Sequence, residues 1–359
     1  MRRFTLCSLL LAFTLLAGAC AGGTEGPQAS PDASPSPDDT AEESDEPADA
    51  DAPLTVYTGR SLELVGPLLE QFQEETGIVL QIRSGDTAEL AATILEEGDN
   101  SPADVYFGQD AGALGSLAKA GRLAPLPDEL LERVDPRFRA ADGTWVGTSG
   151  RARVIVYSTE LVAEEEVPDS VLDLTDPRWS GRVGWAPTNG SFQAFVTAMR
   201  LELGDDATRE WLEGMVANDV QTYANNAAQV EAAGRGEIEV GLVNHYYLYR
   251  FLDEDPNYPA ANKFLTSGDA GALVNVAGVG ILETSDHQDR AAQLVDFLLS
   301  EEAQTYFADE TNEYPLVTGV AARDELPPLA EIDTPDIDLG DLDDLEGTLR
   351  MLRETGALD

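Results

Sequence analysis

The chain has 359 residues, with 22 Lys and Arg against 67 Asp and Glu and a formal net charge of −45. Such a carboxylate excess leaves no broad basic surface for nucleic-acid phosphates or anionic lipid headgroups, so neither is expected as a partner. Two cysteines (Cys7, Cys20) and two histidines (His245, His287) exclude a disulfide scaffold, a Cys/His zinc centre and an iron–sulfur cluster.

The chain begins with Arg2 and Arg3, followed by an apolar run from Phe4 to Leu16 that is too short for a stable bilayer-spanning helix. Small residues Ala17, Gly18 and Ala19 precede Cys20. This resembles the lipobox of bacterial lipoproteins, which implies cleavage before Cys20 and lipidation of its thiol; plain secretion is the alternative. Residues 1–20 are thus expected to be a lipoprotein signal peptide. Residues 21–53 hold ten acids and no base. They cannot bury enough apolar surface to order themselves, and are expected to be a disordered acidic tether.

From Leu54 the pattern becomes periodic. Leu54–Tyr57 is predicted as a strand, and Leu62, Val65, Leu69 and Phe72 fall on one helical face that Gly77 ends. Ile78–Ile82 is a second strand. Asp86 and Glu89 have capping-box spacing before a helix, and Asp104–Phe107 is a third strand followed by an Ala-rich helix. This βαβαβ rhythm predicts parallel strands covered by helices. It returns after residue 150, with strands at 153–157, 182–185, 237–243 and 273–282 and helices between and after them. The expected fold is α/β and two-lobed, each lobe a mostly parallel sheet with helices on both faces. Residues 54–150 plus 273–320 form lobe 1, residues 151–272 form lobe 2, and hinge strands join them near 150 and 272. Residues 321–359 form an acidic tail whose short helix, near Leu345–Leu352, packs on the lobes. Ligands of such folds bind in the cleft, at strand carboxyl ends and helix N-termini.

No nucleophile elbow, phosphate loop, dinucleotide fingerprint or zinc-protease motif is present, so no enzyme activity is expected. Val243-Asn244-His245-Tyr246-Tyr247-Leu248-Tyr249 is the least ordinary stretch. It lies where a strand passes into a helix, and two adjacent phenols can converge on one ligand only at such a helix start. Phenolate is a hard anionic donor suited to a hard cation such as ferric iron; packing is the plainer role. Pro187-Thr188-Asn189-Gly190-Ser191 opens another helix whose free N–H groups suit an anion, and Tyr223-Ala224-Asn225-Asn226 opens a third.

From about Leu54 to Val320 the chain resembles the ferric-iron-binding, transferrin-like proteins of bacterial ABC transporters, a type II periplasmic-binding-protein fold. The resemblance is carried by Leu54-Thr55-Val56-Tyr57-Thr58-Gly59-Arg60, Ser101-Pro102-Ala103-Asp104-Val105, Ser149-Gly150-Arg151-Ala152-Arg153-Val154, Gly181-Arg182-Val183-Gly184-Trp185, Asn244-His245-Tyr246-Tyr247 and Glu313-Tyr314-Pro315. It implies Fe(III) as cargo on Tyr246 and Tyr247, with a synergistic anion, phosphate or carbonate, cradled by Asn189, Gly190, Ser191, Asn226 and Asn244. Arg151 lends positive charge. It also implies delivery to an ABC permease; with the lipobox, the chain is expected on the outer face of the cell membrane, held there by its lipid anchor alone, and as a monomer. Where some members add a His and a Glu to the metal, this chain has Ser61 and Gln109; where others add a third tyrosine, it has Asn189. Gln109 and Asp110 are therefore weaker metal candidates, with Asp86 and Glu63 as further carboxylates and His245 as a supporting residue. Exogenous anion, chelator or water then fills more of the shell, and the cargo is either free iron or a ferric chelate. The alternatives are a same-fold carrier of an organic anion, phosphonate or thiamine-like solute, contacted by Tyr246, Tyr247 and Trp185, and a lipoprotein hydrolase.

Overall fold

A computed structural model of the chain describes residues 52–265 and 268–358. The signal segment, Cys20 and the tether up to residue 51 lie outside the described residues. β1 (Leu54–Thr58), α1 (Leu62–Thr76), β2 (Leu80–Ser84), α2 (Thr87–Glu97), β3 (Val105–Gly108) and α3 (Ala111–Lys119) realise the βαβαβ run. Val65, Leu68, Leu69 and Phe72 bury the inner face of α1, each contributing roughly 1.5–3 kcal/mol of apolar burial. Gly77 ends that helix at φ 74°, a left-handed conformation that glycine adopts without strain. Asp86 caps α2 by accepting from the amides of Ala88 and Glu89.

The chain continues through α4 (Asp128–Leu131), β4 (Trp145–Ser158), β5 (Val183–Trp185), α5 (Gly190–Leu203), α6 (Asp205–Ala217), β6 (Gln221–Thr222), α7 (Asn226–Gly234), β7 (Val240–Asn244), α8 (Tyr246–Glu254) and β8 (Ala260–Lys263). β9 (Val274–Ile281), α9 (Gln288–Leu298), α10 (Glu301–Asp309), β10 (Tyr314–Pro315) and α11 (Leu345–Glu354) complete it.

The strands follow the order β2-β1-β3-β9-β4-β7-β5-β6, with β10 and β8 also on β4. The parallel pairing expected from the βαβ rhythm holds in the outer strands: β1 with β2 and β3, and β5 with β6 and β7. The inner strands differ. β9 is antiparallel to β3 and β4, and β4 is antiparallel to β7, β8 and β10. The sheet is therefore mixed rather than mostly parallel, because the chain returns through β9 between β3 and β4. β4 is also longer than the predicted strand at 153–157. All 14 of its residues are buried, and it runs unbroken from one half of the sheet to the other. Residues 145–152 pair with β9, and residues 153–157 pair with β7.

The C-terminal segment lies across both halves. On the first, Lys119 Nζ reaches Asp341 and Asp343 at 2.9 Å. A Cβ on Gly112 or Gly115 of α3 would stand 2.3 Å from the Leu342 oxygen and 2.0 Å from the Gly340 oxygen, so only glycine lets the two backbones approach. On the second half, Thr348 and Thr197 hydroxyls meet at 2.8 Å and Arg200 pairs with Asp344 at 2.8 Å. No helix among the described residues is long and apolar enough to cross a membrane.

Candidate functional site

The carboxyl ends of the parallel strands in both halves face one cavity of about 320 Å³. Its first wall comes from the turns after β1, β2 and β3: Gly59, Gly85, Asp86, Thr87, Gln109 and Asp110. Its second wall comes from the turns after β5 and β7: Asn189, Gly190, Ser191, Asn244, Tyr246 and Tyr247. Arg151, Arg153, Leu273 and Asn275 complete it from the crossing of β4 and β9. α2, α3, α5 and α8 all begin here, directing free N–H groups and the positive ends of their dipoles towards the cavity.

Tyr246 and Tyr247 open α8. Their rings stack with centroids 4.3 Å apart and planes 28° from parallel. Both line the cavity, although Tyr246 is only 4 % exposed. Burial raises the Tyr246 phenol well above its ordinary range, the neighbouring Tyr247 raises it further, and Arg151 pulls it down. Unliganded Tyr246 is therefore a neutral phenol at neutral pH.

His245 is committed to the fold. Its Nδ1 accepts from the Ala152 amide at 3.1 Å, and its Nε2 lies 2.9 Å from the Asn312 carbonyl oxygen, to which it donates. Burial draws the imidazole down to about 4. With both ring nitrogens engaged, His245 orients the start of α8 and offers no lone pair to a metal.

The anion cradle is connected from within. Asn189 Oδ1 accepts from the Ser191 amide at 3.1 Å, from Ser191 Oγ at 2.5 Å and from Asn226 Nδ2 at 3.1 Å. Asn226 Oδ1 accepts from the Asn244 amide at 3.1 Å. Asn226 is buried behind the cradle and ties α5, α7 and β7 together, whereas the other four expected residues line the cavity.

Arg151 and Arg153 alternate along β4, so both project to the cavity side. Arg151 Nη2 donates to the Gln109 carbonyl. Arg153 Nη1 makes only long contacts of 3.4 Å, to Ser191 Oγ and Asn244 Oδ1. Its guanidinium lies 5.1 Å from the Phe195 ring centroid, and burial draws it down to about 9, still cationic at neutral pH. Among the described residues, Arg151 Nε and Arg153 Nη2 are buried with no hydrogen-bond partner. The sequence reading passed over Arg153, although Arg-x-Arg in a strand was the signal that places two cations on one face. It also passed over Thr87 and Asn275.

Asp110 lines the cavity but caps α3, accepting from the Ala113 amide at 3.2 Å. Burial pushes its carboxyl up, against the pull of that amide and of Arg151. Asp86, also a lining residue, caps α2. Glu63 and Ser61 are exposed and line no part of this cavity. Trp185 points away from it, packing on Phe192 and Trp211 and donating from Nε1 to Thr222 Oγ1 at 3.1 Å. No cluster of three or more His, Cys, Asp or Glu is set to hold a metal among the described residues. The phenol pair and the Asp86 and Asp110 carboxyls are the ionisable oxygen donors on the side chains of the two helix-start walls, and of these the carboxyls are already used as helix caps.

This combination of strand-end cavity, crossing strands and helix starts defines a solute-binding protein of the type II periplasmic class. Residues 100–339 match the family described as bacterial extracellular solute-binding protein, and the chain belongs to that family. Within it, the chain is 35 % identical over 309 residues to the major ferric iron-binding protein of Neisseria meningitidis, covering 85 % of this chain and 93 % of that one. Iron-bound HitA from Pseudomonas aeruginosa superimposes with a TM-score of 0.78 at 37 % identity, covering 84 % of this chain and 99 % of that one. A Trichodesmium protein in complex with iron and citrate superimposes with a TM-score of 0.75 at 27 % identity, covering 85 % of this chain and 99 % of that one.

Proposed function

We propose that this chain is an extracytoplasmic carrier of ferric iron that binds the ion through Tyr246 and Tyr247, together with an exogenous anion, and delivers it to an ABC permease. The observation that carries this reading is the stacked phenol pair at the start of α8, facing a cavity that also holds two buried guanidiniums. The names of the relatives agree with it.

The mechanism follows from the donors. A trivalent cation displaces the phenol protons, because the ion stabilises phenolate far more than water does. The cation and anion arrive at the wall formed by residues 151–272. The wall formed by residues 54–150 and 273–320 closes over them, with β4 and the start of β9 as the hinge. Protons compete for the phenolates as the pH falls, so iron is released in acid. Asn189, Gly190, Ser191 and Asn244 hold the anion, phosphate or carbonate, with Asn226 bracing them and Arg151 supplying charge. Asp110, whose carboxyl lines the cavity, is the remaining candidate for any further protein contact to the metal. Cys20, as the lipidated residue, keeps the carrier on the membrane, and the acidic tether spaces it away. The carrier acts as a monomer and performs no catalysis.

The test is direct. The domain is mixed with ferric ion, with and without phosphate, and its visible spectrum is recorded. A phenolate-to-iron charge-transfer band that disappears in Tyr246→Phe or Tyr247→Phe is the expected result. No band with any anion, together with tight binding of an organic solute, would replace this reading with the alternative carrier.

A further inference from the structure

The first wall of the cavity holds a side chain whose orientation is dictated from far along the chain. Arg60 is buried and grips Glu313 with two bonds, Nη1 to Oε1 at 3.0 Å and Nη2 to Oε2 at 2.8 Å. Ser149 Oγ adds a third bond to Glu313 Oε2 at 2.6 Å. Arg60 Nη1 also donates to Gln109 Oε1 at 3.0 Å. A guanidinium has donors and no acceptor, so the end of the Gln109 carboxamide facing it must be the oxygen. The free end of Gln109 is then its NH2 group, which accepts nothing and ligates no cation.

The other cavity-lining groups near Gln109 are of the same kind. Its backbone oxygen is taken by Arg151, and Arg151 Nε and Arg153 Nη2 have no protein partner among the described residues. The stems of the two arginines are two residues apart in an extended strand, about 7 Å. The Asp86 and Asp110 carboxylates beside them accept the amides of Ala88, Glu89 and Ala113. Apart from the phenols and the second oxygens of Asp86 and Asp110, the groups around Gln109 that face the cavity are N–H donors. Such groups do not bind a metal; they bind oxygens that the metal brings with it. Arg151 and Arg153 each present a buried N–H, Nε and Nη2, unpartnered among the described residues, so the cavity can satisfy more than one oxygen of the same ligand. A second cavity of about 300 Å³ adjoins the first, sharing Thr87, Asp110 and Gly190 and lined by Ala91, Leu95 and Ala194, which leaves room for a carbon skeleton.

We infer that Gln109, Arg151 and Arg153 recognise the chelator, and that the cargo is ferric ion already held by a polydentate hydroxycarboxylate rather than ferric ion with a single small anion. The inference rests on the ferric reading above and makes Gln109 the residue that sets chelate against bare ion. The protein is dialysed to equilibrium against radiolabelled iron and radiolabelled citrate, in buffer with and without excess phosphate. Citrate should be retained in proportion to iron and should resist phosphate. Gln109→Glu puts a metal-binding, chelate-repelling carboxylate in the same space. It should lower citrate retention at least about tenfold, the scale of one lost hydrogen bond to a charged group, and strengthen binding of iron supplied with phosphate. Gln109→Leu, of similar size, should lose citrate without that gain. A wild-type protein that retains coloured iron with phosphate but no citrate would overturn the chelate inference and leave the ferric carrier standing. A protein that takes up no iron and shows no colour in any buffer would end both. Equal citrate retention by wild type and both variants would remove Gln109 from recognition.

Discussion

Arg60 and Arg153 are buried to nearly the same degree, 2 % and 3 % exposed, yet they serve opposite ends. Both terminal nitrogens of Arg60 are bonded to protein, and Glu313 matches its charge. Among the described residues, Arg153 has one terminal nitrogen with no partner, the other at 3.4 Å from its neighbours, and no carboxylate paired to it. A buried charge is tolerable only when something neutralises it. For Arg60 that partner belongs to the chain and the result is a fixed fold. For Arg153 the described residues supply no such partner, which is the opening that the proposed anion would fill.

The largest effect expected from this contrast is at the closed pair. Glu313→Leu strands the Arg60 charge in the interior and should cost about 3–5 kcal/mol of unfolding free energy, measured in urea. The double variant with Arg60→Met should recover most of that loss. A single variant that loses under about 1 kcal/mol would show that Arg60 is not held as described. The same pair sets an acid limit. Burial alone pushes the Glu313 carboxyl up, but the Arg60 charge and its hydrogen bonds more than offset this and hold it below the ordinary value. Its stabilisation is thus complete above the unfolded value of about 4.3 and fades as the pH falls through the lower folded one. Urea midpoints taken between about pH 6 and pH 3 should drop for the wild type and lack this component in the double variant.

Next in size, Tyr246→Phe or Tyr247→Phe should lower ferric affinity by more than about 100-fold, exceeding the 10–100-fold typical of residues that only orient ligands. Competition with a coloured chelator measures it. A loss under about tenfold would move the metal elsewhere in the cavity. Arg153→Leu sharpens the contrast most directly. It should leave urea stability unchanged or higher, since an uncompensated buried charge is removed, while anion-dependent iron affinity falls by about 1.5–3 kcal/mol. Destabilisation on the scale of Glu313→Leu would erase the distinction between the two arginines. Smallest is Asn226→Ala, which removes the brace behind Asn189 and Asn244. It should weaken anion-dependent iron binding, whichever anion is supplied, about tenfold, at the lower end for a supporting residue.

Much of this was legible in the chain itself, because it depends on neighbours in sequence. The helical face of Val65, Leu69 and Phe72, the glycine stop at Gly77, the Asp86 cap and the parallel β1–β3 run all follow from local spacing; Leu62, expected on the same face, is 40 % exposed because it stands at the open first turn of α1. So does the placement of Tyr246 and Tyr247 where β7 passes into α8, since a strand end followed at once by a helix start is a local event. Other features needed the assembled fold. β4 is buried along its whole length, so no alternation marks where it crosses between halves, and the antiparallel return of β9 has no signature within its own residues. Arg153 looked like any strand arginine until Ser191, Asn244 and Tyr246 were folded around it. The Gln109 carboxamide oxygen is turned to Arg60, 49 residues before it, which is in turn clamped by Glu313, 253 residues beyond Arg60. Periodicity and caps are written over a few residues, where backbone geometry is decided. The charge state and direction of a buried side chain are decided by whichever distant partners the fold delivers.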